Sequence, residues 1–472
     1  GGMGEKVIAT PPLSIPPLSI LRHPPSYLVL TLPNWASVRL FLSEATNVQS
    51  DFRLTEKNAL SIAQLCRRLD GLPLAILLMA GWANTLTPAE MLVEMETEQD
   101  ILSSSEMDDI TPYRSLHSSI DVSYRHLLPE IQRCLYHLSV FRGGWTMEVA
   151  EKVCGEAFSR DYMRELQERS LLNSEESGTR RRFWFLETIR VFAYARLQQS
   201  GKAQMVRSCH LEYMMKYAEE AEAHLIGPQQ DVWLELLEAE IANLTSALEW
   251  AKESGAIEQG LRLACAIWRF WYIRGYAREG FSWLQEFLVQ CGDNSLPLRS
   301  KGLNAMGNLA YQMADYATAR QCFTERLHLE EAQKKALGIA GTLGNLANVA
   351  SAQGETEQAR RLFERSLEQF QTLNHTRGIT MTLGNLAIVA CSEGNYSLAC
   401  TYHTECINLF RRLEDRQNLA MALNNYADTQ LHLEQYDSAC EALLESYRLS
   451  RSLNSVRDLS HTLLITVSLA VK

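Results

Sequence analysis

The sequence predicts a mainly α-helical chain of several domains that ends in an α-solenoid, and three observations predict it. Leu303, Leu343, Leu383, Leu423 and Leu463 stand forty residues apart, as do Ala319, Ala359, Ala399 and Ala439. Gly307, Ala347, Ala387 and Ala427 keep small side chains in the same register. From Trp35 onward, apolar residues recur at helical spacing, first as Val38, Leu42 and Ala45, then as Ala59, Ile62, Ala63, Cys66 and Leu69. Tiny residues let two helices cross closely, and the repeated leucine fills the layer between neighbouring helix pairs. A stack of this kind usually holds a partner rather than doing chemistry.

Composition narrows the field. The chain has 472 residues, 46% hydrophobic and 21% charged, enough for three or four well-cored domains. A net charge of −11 gives no general attraction to nucleic acid or to an anionic membrane. Eleven cysteines lie scattered, with no Cys-x-x-Cys pair and no zinc spacing, as expected of reduced thiols in the cytoplasm. No signal peptide and no apolar run of membrane-spanning length is visible, so the expected location is cytoplasmic. No Ser/His/Asp, Cys/His or metal-ligating arrangement stands out, so no enzyme and no metal site is expected.

Taken in order, residues 1–34 are proline-rich, with Pro-Pro-Leu-Ser-Ile at 11–15 repeated at 16–20, which argues against helix and for extended coil. Residues 35–110 read as a helical module. Thr55 is placed to cap its second helix, and Asp70-Gly71 closes that helix. Pro73 then suits the first turn of a helix over Leu74–Asn84. Residues 111–203 read as helices over Ser118–Leu127, Glu130–Phe141, Thr146–Cys154 and Arg160–Ser170. A hairpin of strands at Ser170–Asn173 and Arg181–Leu186 follows, turning at Ser177-Gly178, and then a helix over Glu187–Gln199. Helices with one such wing are the makings of a winged-helix domain. Residues 204–296 read as a helical arm containing an early helix pair, and 297–472 as about four repeats plus a shortened fifth that leaves the stack open-ended.

Within each repeat the small residue of the first helix is followed twelve positions later by alanine. A bulky residue comes four positions after that: Phe323, Phe363, His403 and Leu443. This resembles the tetratricopeptide repeat in a long version, and implies a right-handed α-solenoid. A second resemblance lies upstream. Cys66-Arg67-Arg68-Leu69-Asp70-Gly71-Leu72-Pro73-Leu74-Ala75-Ile76 is similar to the GLPL motif of STAND-type (NB-ARC-like) signalling ATPases. Ser119–Tyr124, Leu127–Glu130 and Leu138–Trp145 resemble the opening of the winged helix in their bacterial AfsR- and LuxR-like members. Leu186-Glu187-Thr188-Ile189-Arg190 resembles its exit. The resemblance implies a regulator whose helical lid carries GLPL and closes over the base of ADP or ATP. Gly71, Leu72, Pro73 and Leu74 would then contact adenine.

The phosphate half of such a site is not evident. A P-loop needs Gly-x-x-x-x-Gly-Lys-Ser/Thr. In Gly1-Gly2-Met3-Gly4-Glu5-Lys6-Val7, glutamate stands where glycine is required and valine where the hydroxyl is required. The expectation is that this chain alone uses no cofactor. ADP or ATP with magnesium is implied only for a full-length relative, with the ATPase core and an effector domain supplied separately. The histidine that senses phosphate in some relatives has no counterpart near Leu186–Arg190. Direct DNA contact by Arg164, Arg169 and Arg180–Arg182 is disfavoured, because Glu165, Glu168, Glu175 and Glu176 lie among them. The remaining candidate site is the solenoid groove, lined by first-helix residues Asn304, Asn308 and Tyr311, then Gly344, Asn348 and Ser351, then Gly384, Ile388 and Cys391, then Asn424 and Asp428. Asparagine amides there could grip a peptide backbone with donor and acceptor together. The partner expected is a protein, a peptide or a small inducer. A nucleotide-independent scaffold is the alternative.

Overall fold

A computed structural model describes residues 12–17, 20–21, 23–102, 111–177, 180–227, 229–292, 295–452 and 456–471. They form two compact units, one made of residues 1–217 with 235–250, the other of 218–234 with 251–472.

In the first unit the proline-rich start is not all coil. Prolines 24 and 25 precede and open a short helix, Pro25–Thr31, where the absent amide hydrogen costs nothing. Helices Ala36–Val48, Ala59–Arg68, Pro73–Ala80 and Pro88–Leu102 follow. Thr55 does not cap as expected. Its own amide donates to Asn58 Oδ1 at 2.7 Å, and Asn58 takes the cap position without a side-chain bond to the helix. Of the predicted stripes, Val38, Ala45, Ala59, Ile62, Ala63, Cys66 and Leu69 are fully buried and Leu42 is half-buried.

Further along this unit, helices Thr111–Arg125, Pro129–Leu138, Met147–Cys154, Arg160–Glu168 and Glu187–Gln199 surround a small antiparallel sheet. The hairpin pairs Asn173–Ser177 with Arg180–Trp184, three residues later at its start than the sequence predicts. Ser170, at φ +56, still belongs to the end of the preceding helix, which displaces the strand. A third strand, Trp145–Thr146, joins the outer side of Arg180–Trp184, in the order first, third, second. Trp145 is buried, stacked on Phe141 and edge-on to Phe185, so one aromatic cluster seats the sheet on the helices. Trp82 ties the two halves of the unit together. Its indole donates to Ser123 Oγ at 3.1 Å, and the Arg169 guanidinium lies 4.0 Å over its ring.

The second unit is a regular stack. After the pair Ile257–Arg274 and Ala277–Gln290 come Leu296–Gln312 with Tyr316–Ala332, Ala336–Ala352 with Thr356–Thr372, Thr376–Ser392 with Tyr396–Arg412, Arg416–His432 with Tyr436–Ser452, and then Val456–Val471. Left-handed residues close the helices at twenty-residue intervals: Ala314, Lys334, Gly354, Asn374, Gly394, Glu414 and Glu434. At each, the left-handed residue and the one after it donate two hydrogen bonds back into the helix. At the first, Asp315 N donates to Ala310 O and Ala314 N to Tyr311 O. Leu303, Leu343, Leu383 and Leu423 are buried as predicted, but Leu463 is 58% exposed, because no described helix follows Val456–Val471 to cover it. Ala319, Ala359, Ala399 and Ala439 are fully buried, and an added Cβ at Gly307 would lie 2.6 Å from the Phe323 ring. Successive first helices pack on one another, whereas successive second helices do not pack comparably, so the first helices form the inner row.

Candidate functional site

The Gly-Leu-Pro turn is built in the first unit. Leu69 ends the helix Ala59–Arg68, and Asp70 and Gly71 both take positive φ, +52 and +67. Pro73 opens the next helix as its first residue. Gly71 is buried because the Pro-Leu-Ser-Ile segment lies on it. Leu13 N donates to Gly71 O at 2.9 Å, and a Cβ on residue 71 would stand 2.3 Å from Leu13 O. The same segment is held by Ser14, whose Oγ accepts from Ala36 N and whose carbonyl accepts from Ser37 Oγ at 2.8 Å. Arg67 adds a bond to Pro16 O at 2.6 Å. Leu72, Pro73 and Leu74 are half-buried, so they retain accessible apolar surface while the glycine does not.

The solenoid candidates fare unequally. Asp428 is exposed on the first helix of its pair. Asn304, Asn308, Tyr311 and Asn348 are half-buried and already committed within the stack. Asn304 Oδ1 accepts from Arg326 Nη1 at 2.7 Å and from Asn345 Nδ2 at 3.1 Å. Asn308 Nδ2 donates to Asn304 O, and Asn348 Oδ1 accepts from Asn385 Nδ2 at 3.3 Å. Tyr311 packs on the cluster of Ala310, Ala319 and Phe323, and burial raises its hydroxyl pKa. Asn424 is a correction. It is fully buried, with Oδ1 accepting from Thr462 Oγ1 at 3.0 Å, because the helix Val456–Val471 covers it, so it offers a partner no surface.

The sequence reading missed the donors of this inner row, Asn345 and Asn385. Their signal was present: Asn345, Asn385 and Asn425 recur at forty residues, one position after the sites singled out. It also missed Arg326, half-buried beside Ser300 and the buried Glu330. Of the arginines weighed for DNA contact, two of those in the hairpin pair with acids and Arg169 bonds a backbone carbonyl. Arg182 Nη1 donates to Glu240 Oε1 at 2.5 Å, Arg181 reaches Glu176 at 3.1 Å, and Arg169 donates to Gly81 O at 2.8 Å. Among the described residues no group of three or more His, Cys, Asp or Glu is placed to hold a metal ion. No described helix is long and apolar enough to cross a membrane.

His403 sits in the bulky slot that Phe323 and Phe363 fill in earlier repeats. It is buried, its Nδ1 has no hydrogen-bond partner, and burial pushes its pKa down to about 4. The folded chain therefore holds it neutral while the unfolded chain protonates it near its ordinary value of 6.5. Stability falls as pH drops from about 6.5 to 4, by about 3 kcal/mol for this group. His403→Phe is expected to stabilise the solenoid by about 1–2 kcal/mol at pH 7, and by more at pH 4.5. Urea unfolding at both pH values checks this; an equal gain at the two would refute the protonation account.

Comparison with known proteins follows these lines. Residues 339–368 and 378–452 match models of the tetratricopeptide repeat. A Mycobacterium tuberculosis protein named "Putative HTH-type transcriptional regulator" is 32% identical over 261 residues, 53% of this chain and 29% of its own length. An uncharacterized protein of the same organism is 29% identical over 193 residues, 39% of this chain and 48% of its own. The chain thus spans less than a third of the first relative's length and about half of the second's. Among solved structures, a STAND protein with a tetratricopeptide repeat sensor from Pyrococcus horikoshii aligns with 91% of this chain and 62% of its own, at 12% identity and a TM-score of 0.48.

Proposed function

We propose that this chain is the sensing part of a signal-dependent regulator. The inner row of the solenoid binds a protein, a peptide or a small inducer. The module around Gly71–Leu74 and the winged-helix region at 111–203 respond by closing on an adenine nucleotide, whose phosphates a separate core would hold. The observation that carries the regulatory reading is the 32% identity over 261 residues to a protein named as a transcriptional regulator. The repeat matches support the partner-binding half. For the lid, Pro73 and its leucine neighbours supply the flat apolar contact an adenine ring needs, without a competing donor. Gly71 would shape the turn rather than touch the base.

A nucleotide-independent scaffold is favoured by one specific observation. The tightest contact at the turn is with Leu13 of this chain, which accounts for the glycine without any nucleotide. Titration with fluorescent ADP separates the readings in part. The expected result is no binding below the millimolar range by this chain alone, and micromolar binding once a P-loop core from a full-length relative is fused ahead of residue 12. If the fusion also fails to bind, the lid reading is wrong and the scaffold stands. In the solenoid, Asn348→Ala is expected to weaken partner capture several-fold while leaving the melting temperature within a few degrees, since within the fold it removes one part-buried bond, to Asn385, worth about 1 kcal/mol.

A further inference from the structure

The inner row is chemically uneven, and its middle is open. Leu337, Met381, Ile388 and Met421, all on first helices, are 52%, 45%, 49% and 37% exposed. These are large apolar side chains on neighbouring rungs, not scattered singletons. Between them stand Gly341, Gly344 and Gly384, which packing does not require. At Gly307, Gly338 and Gly378 an added Cβ would collide with Phe323, Glu330 and Phe370 at 2.6, 2.0 and 2.4 Å. At Gly341 it would meet nothing within 4 Å, and at Gly344 and Gly384 only Ser366 Oγ at 3.5 Å and Cys406 Sγ at 3.6 Å.

Charge is segregated on three of the four first helices, the fourth, Arg416–His432, carrying the exposed Asp428. The chain carries 56 acidic and 45 basic side chains. Yet helices Leu296–Gln312, Ala336–Ala352 and Thr376–Ser392 contain Arg299, Lys301 and Arg377 and no acid. Arg299 is paired with Glu325 and Lys301 with Glu222, both at 2.6 Å. Arg377 is exposed beside Met381, outside any ion pair among the described residues, and close enough to Arg269 for the two cations to repel. An acidic protein has therefore placed a cation, unpaired among the described residues, on an open apolar face.

We infer that this face takes a peptide segment carrying an acidic residue beside apolar side chains, an inference that rests on the partner-binding reading above. Apolar anchors lie on Leu337, Met381, Ile388 and Met421, and the carboxylate pairs with Arg377. The peptide backbone passes over Gly341, Gly344 and Gly384, where no side chain holds it off. Asn345, Asn348 and Asn385 each keep hydrogen-bonding capacity beyond the inter-helix bonds they make. Two helix-to-helix steps, about 16–20 Å, are spanned by about six residues of extended chain.

The test uses the whole 472-residue chain and a displayed library of random twelve-residue peptides. Selection is expected to enrich sequences combining Asp or Glu with Leu, Met or Phe. The best peptide, labelled and followed by fluorescence polarisation, should bind Gly341→Leu at least tenfold more weakly, with the melting temperature unchanged or raised. Arg377→Glu should weaken it tenfold as well, and exchanging the peptide's acid for lysine should recover most of the loss. If no peptide is selected, this inference is overturned, while a folded protein or small inducer still satisfies the reading it rests on. If peptides are selected without acidic enrichment, or bind both variants as well as the parent, this inference alone is overturned. A dimer in sedimentation that Gly341→Leu dissolves would assign the face to a second copy and overturn it too.

Discussion

Gly71→Val is expected to destabilise the amino-terminal unit by about 3 kcal/mol. Two costs combine. Residue 71 sits at φ +67, where a β-branched side chain costs about 1–2 kcal/mol. Its Cβ would also enter the space of Leu13 O, 2.3 Å away, and overpacking against backbone costs a further 1–3 kcal/mol. The neighbour cannot give cheaply, because Leu13 is a hydrogen-bonded backbone group pinned through Ser14 to the helix Ala36–Val48. Relief comes instead by releasing residues 12–17 from the turn. Urea denaturation should show the lower midpoint, and limited proteolysis should cut the variant within 12–17 faster than the parent. Full stability in Gly71→Val would mean the segment does not bear on the turn, and the glycine would then need a ligand to explain it.

That outcome shows where sequence reading succeeds and where it stops. The stack was legible because each helix buries residues chosen by the same geometry every forty positions, so Leu303, Ala319 and their equivalents announce their roles. The helix Glu187–Gln199 was legible with its end, which Ser200-Gly201 marks. The hairpin was legible in kind but not in register, because register depends on Asn173 facing Trp184 across strands, and on a third strand with no local signal. The candidate site was harder. Helical phase says which residues share a face, and it placed Asn348 and Asp428 on the inner row. It does not say whether the next helix will cover that face, which is why Asn424 is buried under Val456–Val471 while Asp428 is exposed. Nor could it foresee that Leu13, some sixty residues away, would occupy the space a side chain on Gly71 would need.

A loss of similar size should come from Asp121→Ala, about 2–3 kcal/mol, since the two arginines it serves are 41% and 31% exposed and partly screened by water. Asp121 is nearly closed to solvent, in the segment Ser119–Tyr124 that carries the upstream resemblance, and it serves two arginines. Arg125 Nε donates to Oδ2 at 2.7 Å, and Arg196, on the helix Glu187–Gln199, donates to Oδ1. Arg196 also lies over the rings of Phe192 and Tyr124, at 4.9 and 5.5 Å, so its guanidinium is fixed between two helices. Removing the carboxylate leaves Arg125 near Glu94, 3.8 Å away, but strips Arg196 of its acid, leaving it the Gln199 Oε1 bond at 3.0 Å and the two rings. The cost is therefore that of an uncompensated charge rather than of a lost attraction, and the double variant tells the two apart. Asp121→Ala with Arg196→Met should be more stable than Asp121→Ala alone, because the stranded cation is gone and its apolar contacts remain. Urea midpoints for the parent, the two single variants and the double variant, compared at equal slope, measure this. If the double variant loses as much as the sum of the single changes, the two groups act independently. The helices Thr111–Arg125 and Glu187–Gln199 would then be joined by packing alone, through contacts such as Tyr124 on Phe192.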